Sequence, residues 1–441
     1  MPTQEPPAGT AADVVDASSG QQAAALADLP DDLLIEAVQR QSLRFFRAGA
    51  HPVSGLARDR CTAGKAPAAD DNLIAIGGSG FGVMALIVAV ERGWITRAQS
   101  LNQLQRMLDV LTRATCYHGA FPHFMNGRTG ATIPFGRKDD GGDLVETGLL
   151  MQGLLCARQY FTAATAQEQR VRTLIDWLWS DVEWDWYTQG GRKLLYWHWS
   201  PNNGWALDHE IHGWNECLIT YVLAVAAPRY GIDPLAYHRG FATGADFNNG
   251  KRYCDITLPL GMPYGGPLFF AHYSFCGLDP RGLVDRYADY WAQNTAHVRI
   301  HHNYCARNPH GFEGYGPDCW GLTASDDPDG YAAHDPAHDN GTLSPTAALA
   351  SLPYAPKAAL HALRHFLRTY GDRIWRAYGF VDAFNPSRDW YATTHLAIDQ
   401  GPIIVMMENH RSGLLWKLFM SAPEIRTALA KLEFRSPHLT P

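Results

Sequence analysis

From Asp31-Asp32 onward, apolar residues recur along the chain at helical spacing. This acidic pair reads as a helix start, and in the LLIEAVQRQSLRFF that follows, Leu34, Val38 and Phe45 fall on one face. The same reading predicts helices over 82–92, 97–113, 143–160, 168–179, 214–226, 281–302, 356–370, 402–420 and 423–432. Some are amphipathic, while others, such as LITYVLAVAA, are apolar on every side. Loops rich in Gly, Pro, Asn, Asp and His separate them, for example over 303–318 and 325–344. No strand–helix alternation with a Gly-rich phosphate turn occurs, which argues against Rossmann and P-loop folds. The pattern points to an all-α fold, a closed double ring of helices. Its inner helices are apolar on most sides, and loops at one end build a cleft. Residues 1–30, rich in Ala, Pro, Ser and Gln, read as a disordered tail ahead of one domain over 31–441.

Composition narrows the partners. Of the 441 residues 46% are apolar and 18% charged, enough for a large core. The net charge of −7 and the lack of any basic run argue against nucleic acid or an anionic membrane as partner. The most apolar stretch, Phe81 to Val90, is about half the length that spans a bilayer, so no membrane insertion is expected. The 14 Trp and 19 Tyr offer flat apolar faces with polar edges, which suit stacking on sugar rings as well as core packing. Eight Cys without a C-x-x-C pair exclude zinc ribbons and read as scattered core thiols. The N-terminal stretch lacks the basic and apolar regions of a signal peptide, so by sequence the chain is expected in the cytoplasm.

Three constellations could carry chemistry. The first is Asp139, Asp140, Asp143 and Glu146 around Gly141-Gly142. Asp143 and Glu146 fit a capping box at a helix start. The extra acids fit a catalytic cluster equally well, because crowded carboxylates raise one another's pKa until one stays protonated near neutrality. The second is Glu216, after Trp214-Asn215 at the start of an apolar helix, where Trp205 and Trp214 should desolvate the carboxyl. The third lies near the C-terminus. There Asp399 fits a cap for the helix opening at Pro402, and Glu408 with Arg411 fits an ion pair three residues apart, while the apolar IIVMM and LLWKLFM around them argue for burial. Histidines invite a metal reading that their spacing does not support. His209-Glu210-Ile211-His212 is one residue short of H-E-x-x-H, and His297 and His301 lack a third ligand. His334, Asp335, His338 and Asp339 read as a solvated polar loop.

Several longer segments together resemble a known family. They are Gly80-Phe81-Gly82, Glu91-Arg92-Gly93-Trp94-Ile95, Leu144-Val145-Glu146-Thr147 and Trp214-Asn215-Glu216. Also among them are Trp320-Gly321-Leu322-Thr323-Ala324-Ser325-Asp326, Tyr378-Gly379-Phe380-Val381-Asp382-Ala383-Phe384-Asn385 and Asp399-Gln400-Gly401-Pro402. In this order, over about 32 to 435, they resemble the glycoamylase-like domain that includes the endo-β-1,2-glucanases of glycoside hydrolase family 144. The resemblance implies an (α/α)6 barrel and inverting hydrolysis of β-1,2-glucan, with no metal and no cofactor. It places the family's acids on Asp139, Asp143, Glu146 and Glu216. Trp214, Trp320, Asp326, Asp399 and Glu408 are then expected to line sugar subsites. Trp214 stands where Tyr is common and Gly148 where Ala is common, which bears on subsite preference. Endo cutting, exo release and transglycosylation all occur in such folds. The expected partner is an oligo- or polysaccharide, bound by a monomer or simple homo-oligomer. Relatives are often periplasmic, in contrast to the reading of this N-terminus.

Inverting hydrolysis needs an acid and a base about 6.5–9.5 Å apart. Glu216, amid indoles, is expected as the acid and the 139–146 cluster as the base, with the reverse assignment open. Two rival functions remain at this stage. One is a polysaccharide lyase with its base among His301, His302 and Tyr304, and the other is a non-catalytic glycan-binding protein.

Overall fold

The computed structural model describes residues 20–68 and 71–439. In chain order its α-helices are α1 (Gly20–Leu26), α2 (Asp31–Arg47), α3 (Ile76–Glu91), α4 (Arg97–Leu111), α5 (Leu144–Tyr160) and α6 (Ala166–Asp181). There follow α7 (Leu218–Ala226), α8 (Tyr290–Arg307), α9 (Pro345–Leu349), α10 (Pro356–Ile374), α11 (Ala397–Arg411), α12 (Leu414–Ser421) and α13 (Pro423–Lys431). The molecule is helix-rich, and the strands among the described residues form short ladders of two or three in the connecting loops. None of the helices described is long and apolar enough to cross a membrane. The eight cysteines are free thiols, buried or half-buried.

Burial sorts the helices into two sets. α3 is buried from Ile76 to Ala89, α5 from Leu144 to Arg158, α11 from Asp399 to Asn409, and α7 and α9 throughout. The others bury one face, for example Leu34, Val38 and Phe45 in α2, or Val171, Ile175 and Leu178 in α6. The fully buried helices pack on one another, α3 on α5, α5 on α7, α9 on α11, and α11 back on α3. The one-sided helices lie against them, α2 on α3 and α11, α6 on α5, α10 on α9 and α13 on α7. An amphipathic helix can sit only at the outside of such a packing, because its polar face needs water.

Where the elements depart from the pattern, packing is the reason. α3 was expected to start at residue 82 and starts at Ile76, through the glycine-rich IGGSG. Glycine is a poor helix former, yet here it lets two helices meet backbone to backbone. A Cβ on Gly80 would lie 2.2 Å from the Leu149 carbonyl oxygen, and one on Gly153 would lie 2.1 Å from that of Gly80. α11 likewise starts five residues before Pro402, with Leu396 as its N-cap. Asp399 is therefore in the first turn and is not the cap. The expected helix over 402–420 is two helices, broken at Gly413 with φ +68°. α8 runs later than predicted, capped by Asp289 and closed by Asn308 in the left-handed region, so residues 303–307 are helix and not loop. α7 begins at Leu218, which leaves Trp214 to Glu216 in the turn before it. Within 325–344 the expected loop contains a hairpin, Ala324–Asp327 against Gly330–Ala333. The expected tail over 1–30 is ordered from Gly20, where α1 packs on α10 and Arg364 holds the Ala27 and Leu29 carbonyls. Residues 1–19 lie outside the described residues.

Candidate active site

The N-terminal ends of α3, α5 and α11 open onto one cavity of about 410 Å³. Ala75 comes from the approach to α3, Val145, Glu146 and Leu149 from α5, Leu396 and Ile398 from the start of α11, and Glu216 from the turn before α7. Asp59, Arg60, His123, Phe124, Trp197 and Ala324 complete most of the wall. Helix N-termini carry partial positive charge, which favours carboxylates at this end. Phe135 and Tyr331, also lining the cavity, are 57% and 54% exposed. Large exposed rings at a cavity rim are suited to stacking on a ligand.

On one wall, Asp143 caps α5, its Oδ1 accepting the N–H groups of Val145 and Glu146 at 3.0 and 2.9 Å. Its Oδ2 meets His123 Nδ1 at 3.0 Å and the Trp197 indole N–H at 3.2 Å. Four partners occupy this buried carboxyl, so it fixes the surrounding groups. Glu146 does not complete a capping box. Its Oε2 accepts the Gly77 N–H at 2.6 Å, at the first turn of α3, while the Asp143 amide donates to Phe121 O. Burial pushes the Glu146 carboxyl up to about 7, even though the neighbouring His123 charge and the Gly77 N–H pull it down. His123 is raised to about 9, because Glu146 and Asp143 outweigh its burial. An imidazolium therefore sits beside Glu146 at neutral pH.

Among the described residues Glu216 has no such partner. Burial raises it to about 7, and Asp143 and Glu146 add to the rise. Asp139 lies behind, its Oδ1 3.1 Å from His198 Nε2, and burial raises it too. Asp140 turns outward, where its bonds to Ser200, Asn202 and Asn203 hold a loop and keep its carboxyl low. Two glutamates of raised pKa thus line one cavity, one beside a cation and one alone. This is the arrangement an acid and a base require.

The other wall is built around Asp326. It pairs with Arg60 at 3.1 Å and accepts the Thr394 hydroxyl, and its own N–H donates to Asp382 Oδ2 at 2.6 Å. Asp382 is raised to about 7 by burial and by Asp326, and Asp399, buried beneath it, is raised well above the ordinary carboxyl range. The structure brings Asp326 and Asp399 close together in this wall, although neither lines the cavity itself.

Three expected subsite residues are elsewhere. Trp320 is fully buried and donates to Ala358 O. Trp214 is buried against Phe241, Phe275 and Tyr290. Glu408 is fully buried in a two-pronged pair with Arg92 at 2.8 and 2.9 Å, not with Arg411, which reaches Gln39 and Glu36. Burial of an acid within IIVMM was legible in the sequence, but its partner, 316 residues away, was not. His301, His302 and Tyr304, the base candidates for a lyase, do not line the cavity either. His301 and His297 share the Gly266 carbonyl as hydrogen-bond acceptor, and Tyr304 donates to Asp339. The sequence reading missed His123, Trp197, Asp59, Arg60, Phe135 and Tyr331. Each sits in a loop or short strand without periodic pattern, and only the surplus of aromatics and histidines hinted at them.

The Glycoamylase family model, described as "Putative glucoamylase", matches residues 208–423. A curated protein of Parabacteroides distasonis, an exo β-1,2-glucooligosaccharide sophorohydrolase (non-reducing end), is 44% identical over 426 residues. That match covers 92% of this chain, and the chain spans 58% of the length of that relative. Among solved structures, the endo-β-1,2-glucanase of Chitinophaga pinensis, in complex with sophorotriose and glucose, is similar at a TM-score of 0.90 and 50% identity. The match covers 93% of this chain and all of that one. A Bacteroides uniformis structure bearing the same description as the family model has a TM-score of 0.91 at 52% identity, covering 94% and 100% of the two chains.

Proposed function

This chain belongs to the glycoamylase family, and from that premise we propose that it is a glycoside hydrolase of β-1,2-linked glucan, acting with inversion. Its fold in this reading is an (α/α)6 barrel. The buried helices α3, α5, α7, α9 and α11 belong to the inner ring, and the one-sided helices form the outer one. In support, α3 packs on α5, α5 on α7 and α9 on α11, and the set returns on itself from α11 to α3.

One observation carries the mechanism. Glu216 and Glu146 line the same cavity with carboxyls raised to about 7, and only Glu146 has an imidazolium beside it. Glu216, with no cation near it among the described residues, gives a proton to the leaving glycosidic oxygen. Glu146, held toward its ionised form by His123 and the Gly77 N–H, takes a proton from water on the other face of the sugar. Asp143 fixes both His123 and the first turn of α5, and Asp139 supports the strand through His198. Asp326 holds Arg60, and Asp399 is joined to Asp326 through Asp382, which keeps the opposite wall in place for the sugar hydroxyls.

Linear and cyclic β-1,2-glucans, with β-1,3- and β-1,4-glucans as controls, test this directly. New reducing ends are expected from β-1,2-glucan alone, with the anomer opposite to that of the substrate released first. Unsaturated ends absorbing in the ultraviolet would instead mark a lyase. Glucan binding without new ends would mark a binding protein. Replacing Glu216 by Gln should lower turnover by about 10²-fold or more with binding largely kept, and near-normal turnover would remove Glu216 from the acid role.

A further inference from the structure

Next to the cavity lies a second, more open space of about 730 Å³, lined by Trp197, Leu207, Asp208, His209, Glu210, Ile211, His212 and Asn215. The two spaces adjoin at two points. Trp197 lines both, and the consecutive residues Asn215 and Glu216 face one each. Trp197 is fixed as the divider. Its indole donates to Asp143, its N–H donates to His209 O at 2.9 Å, and the His209 ring stacks on it at 4.8 Å and 11°.

The chemistry of the groove suits a neutral polyhydroxylated chain. Among the described residues no Lys or Arg lines it, and carboxylates at Asp208 and Glu210 would repel an anion. Burial lowers the pKa of His209, so near neutrality its ring offers one donor and one acceptor. Leu207, 39% exposed, adds an apolar face, and such a mix of one flat surface with scattered polar groups is what a sugar ring fits. The volume lies within the roughly 300–1,000 Å³ of small-molecule sites. A ligand of this kind that reached the groove through the cavity would be the same molecule as the substrate.

We infer that this groove continues the cavity past Trp197 and holds further glucose units of a linear β-1,2-glucan, so that the cleft is open and not blind at its Glu216 end. The inference rests on the hydrolase reading above and adds to it which residues set chain-length preference. Leu207 and His209 are specificity-determining, and neither touches the reacting atoms.

The test compares long linear β-1,2-glucan with its trisaccharide, in two measurements. Calorimetric binding is read in a Glu216→Gln background, and kcat/KM in the otherwise native enzyme. Leu207→Ala and His209→Ala should each weaken long-chain binding several-fold relative to the trisaccharide, and lower the long-to-short ratio of kcat/KM through KM. The Trp197–Asp143 bond runs from the indole N–H to Oδ2, so Leu207→Ala removes neither of its partners. An unchanged long-to-short binding ratio in either variant overturns the inference. A native enzyme inactive on every length removes the hydrolase reading instead, and the binding ratio still decides the groove.

Discussion

Glu216 and Glu146 are the same residue type in the same cavity, and their surroundings differ. Glu216 rises to about 7 through burial with no cation to offset it, from an ordinary 4.5. Its folded-state value lies above the unfolded one, so it contributes stability in full below pH about 4.5, and that contribution is lost as pH rises through about 7. Glu216→Gln has no such loss. It should be inactive yet more stable than the native protein at about pH 8, by up to roughly 3 kcal/mol, with the difference vanishing near pH 4. Urea midpoints at the two pH values check this, and an equal difference at both would contradict it. His123 supplies the contrast. Its charge holds Glu146 down, so His123→Gln should raise the Glu146 value and move the acid limb of kcat/KM upward by about one pH unit. A limb that does not move would take Glu146 out of the base role. At this scale the sequence was a partial guide. The cap at Asp143 and the desolvation of Glu216 followed from local pattern. The replacement of the reciprocal Glu146 bond by one to Gly77 did not, because Gly77 arrives from another helix.

Among elements, the crossing of α3 and α5 is the tightest constraint. Gly80 and Gly153 allow the two backbones to touch, with no room for even one methyl group. Gly80→Ala should therefore destabilise by about 1–3 kcal/mol despite its better helix propensity, seen as a lower urea midpoint at unchanged slope. A gain in stability would show that the helices can move apart freely. The one-sided helices α2, α4, α6 and α10 were readable because a polar face and an apolar face leave a period in the sequence. α3 was shortened and α11 and α12 were merged for the opposite reason. A helix buried all round has no such period, and Gly and Pro within it answer to neighbours and not to propensity.

For the molecule as a whole, buried titratable groups set the response to acid. Burial holds His272 at about 3 and His297 and His395 at about 4, and puts His301 well below the ordinary 6.5 too. The unfolded chain takes protons there first, so these histidines cost stability as pH falls below about 6.5. Glu146 and Glu216, each near 7, act in the reverse sense down to about 4.5. Asp382, also near 7, and Asp399, raised well above the carboxyl range, do so down to about 3.8. Histidines and carboxyls largely offset each other. Below about 4 the carboxyl gain is exhausted, and Glu168, kept low by its hydrogen bonds to Arg97, loses its partner. The urea midpoint should thus stay nearly level from about pH 7 to 5 and then fall steeply. A midpoint already collapsing by pH 6 would refute that balance. The sequence by itself determined the helix-rich class, the outward faces of the amphipathic helices, the capped acidic start of α5 and the buried character of Glu216 and Glu408, since all of these depend on neighbours within a few turns. Only the tertiary structure decided that Glu146 and Glu216 share a cavity, that Arg60 faces Asp326 across 266 residues, that Glu408 pairs with Arg92, and that Trp320 belongs to the core. Which side of a wholly apolar helix looks into a cavity is written in no local period, because it is fixed by the helices that close around it.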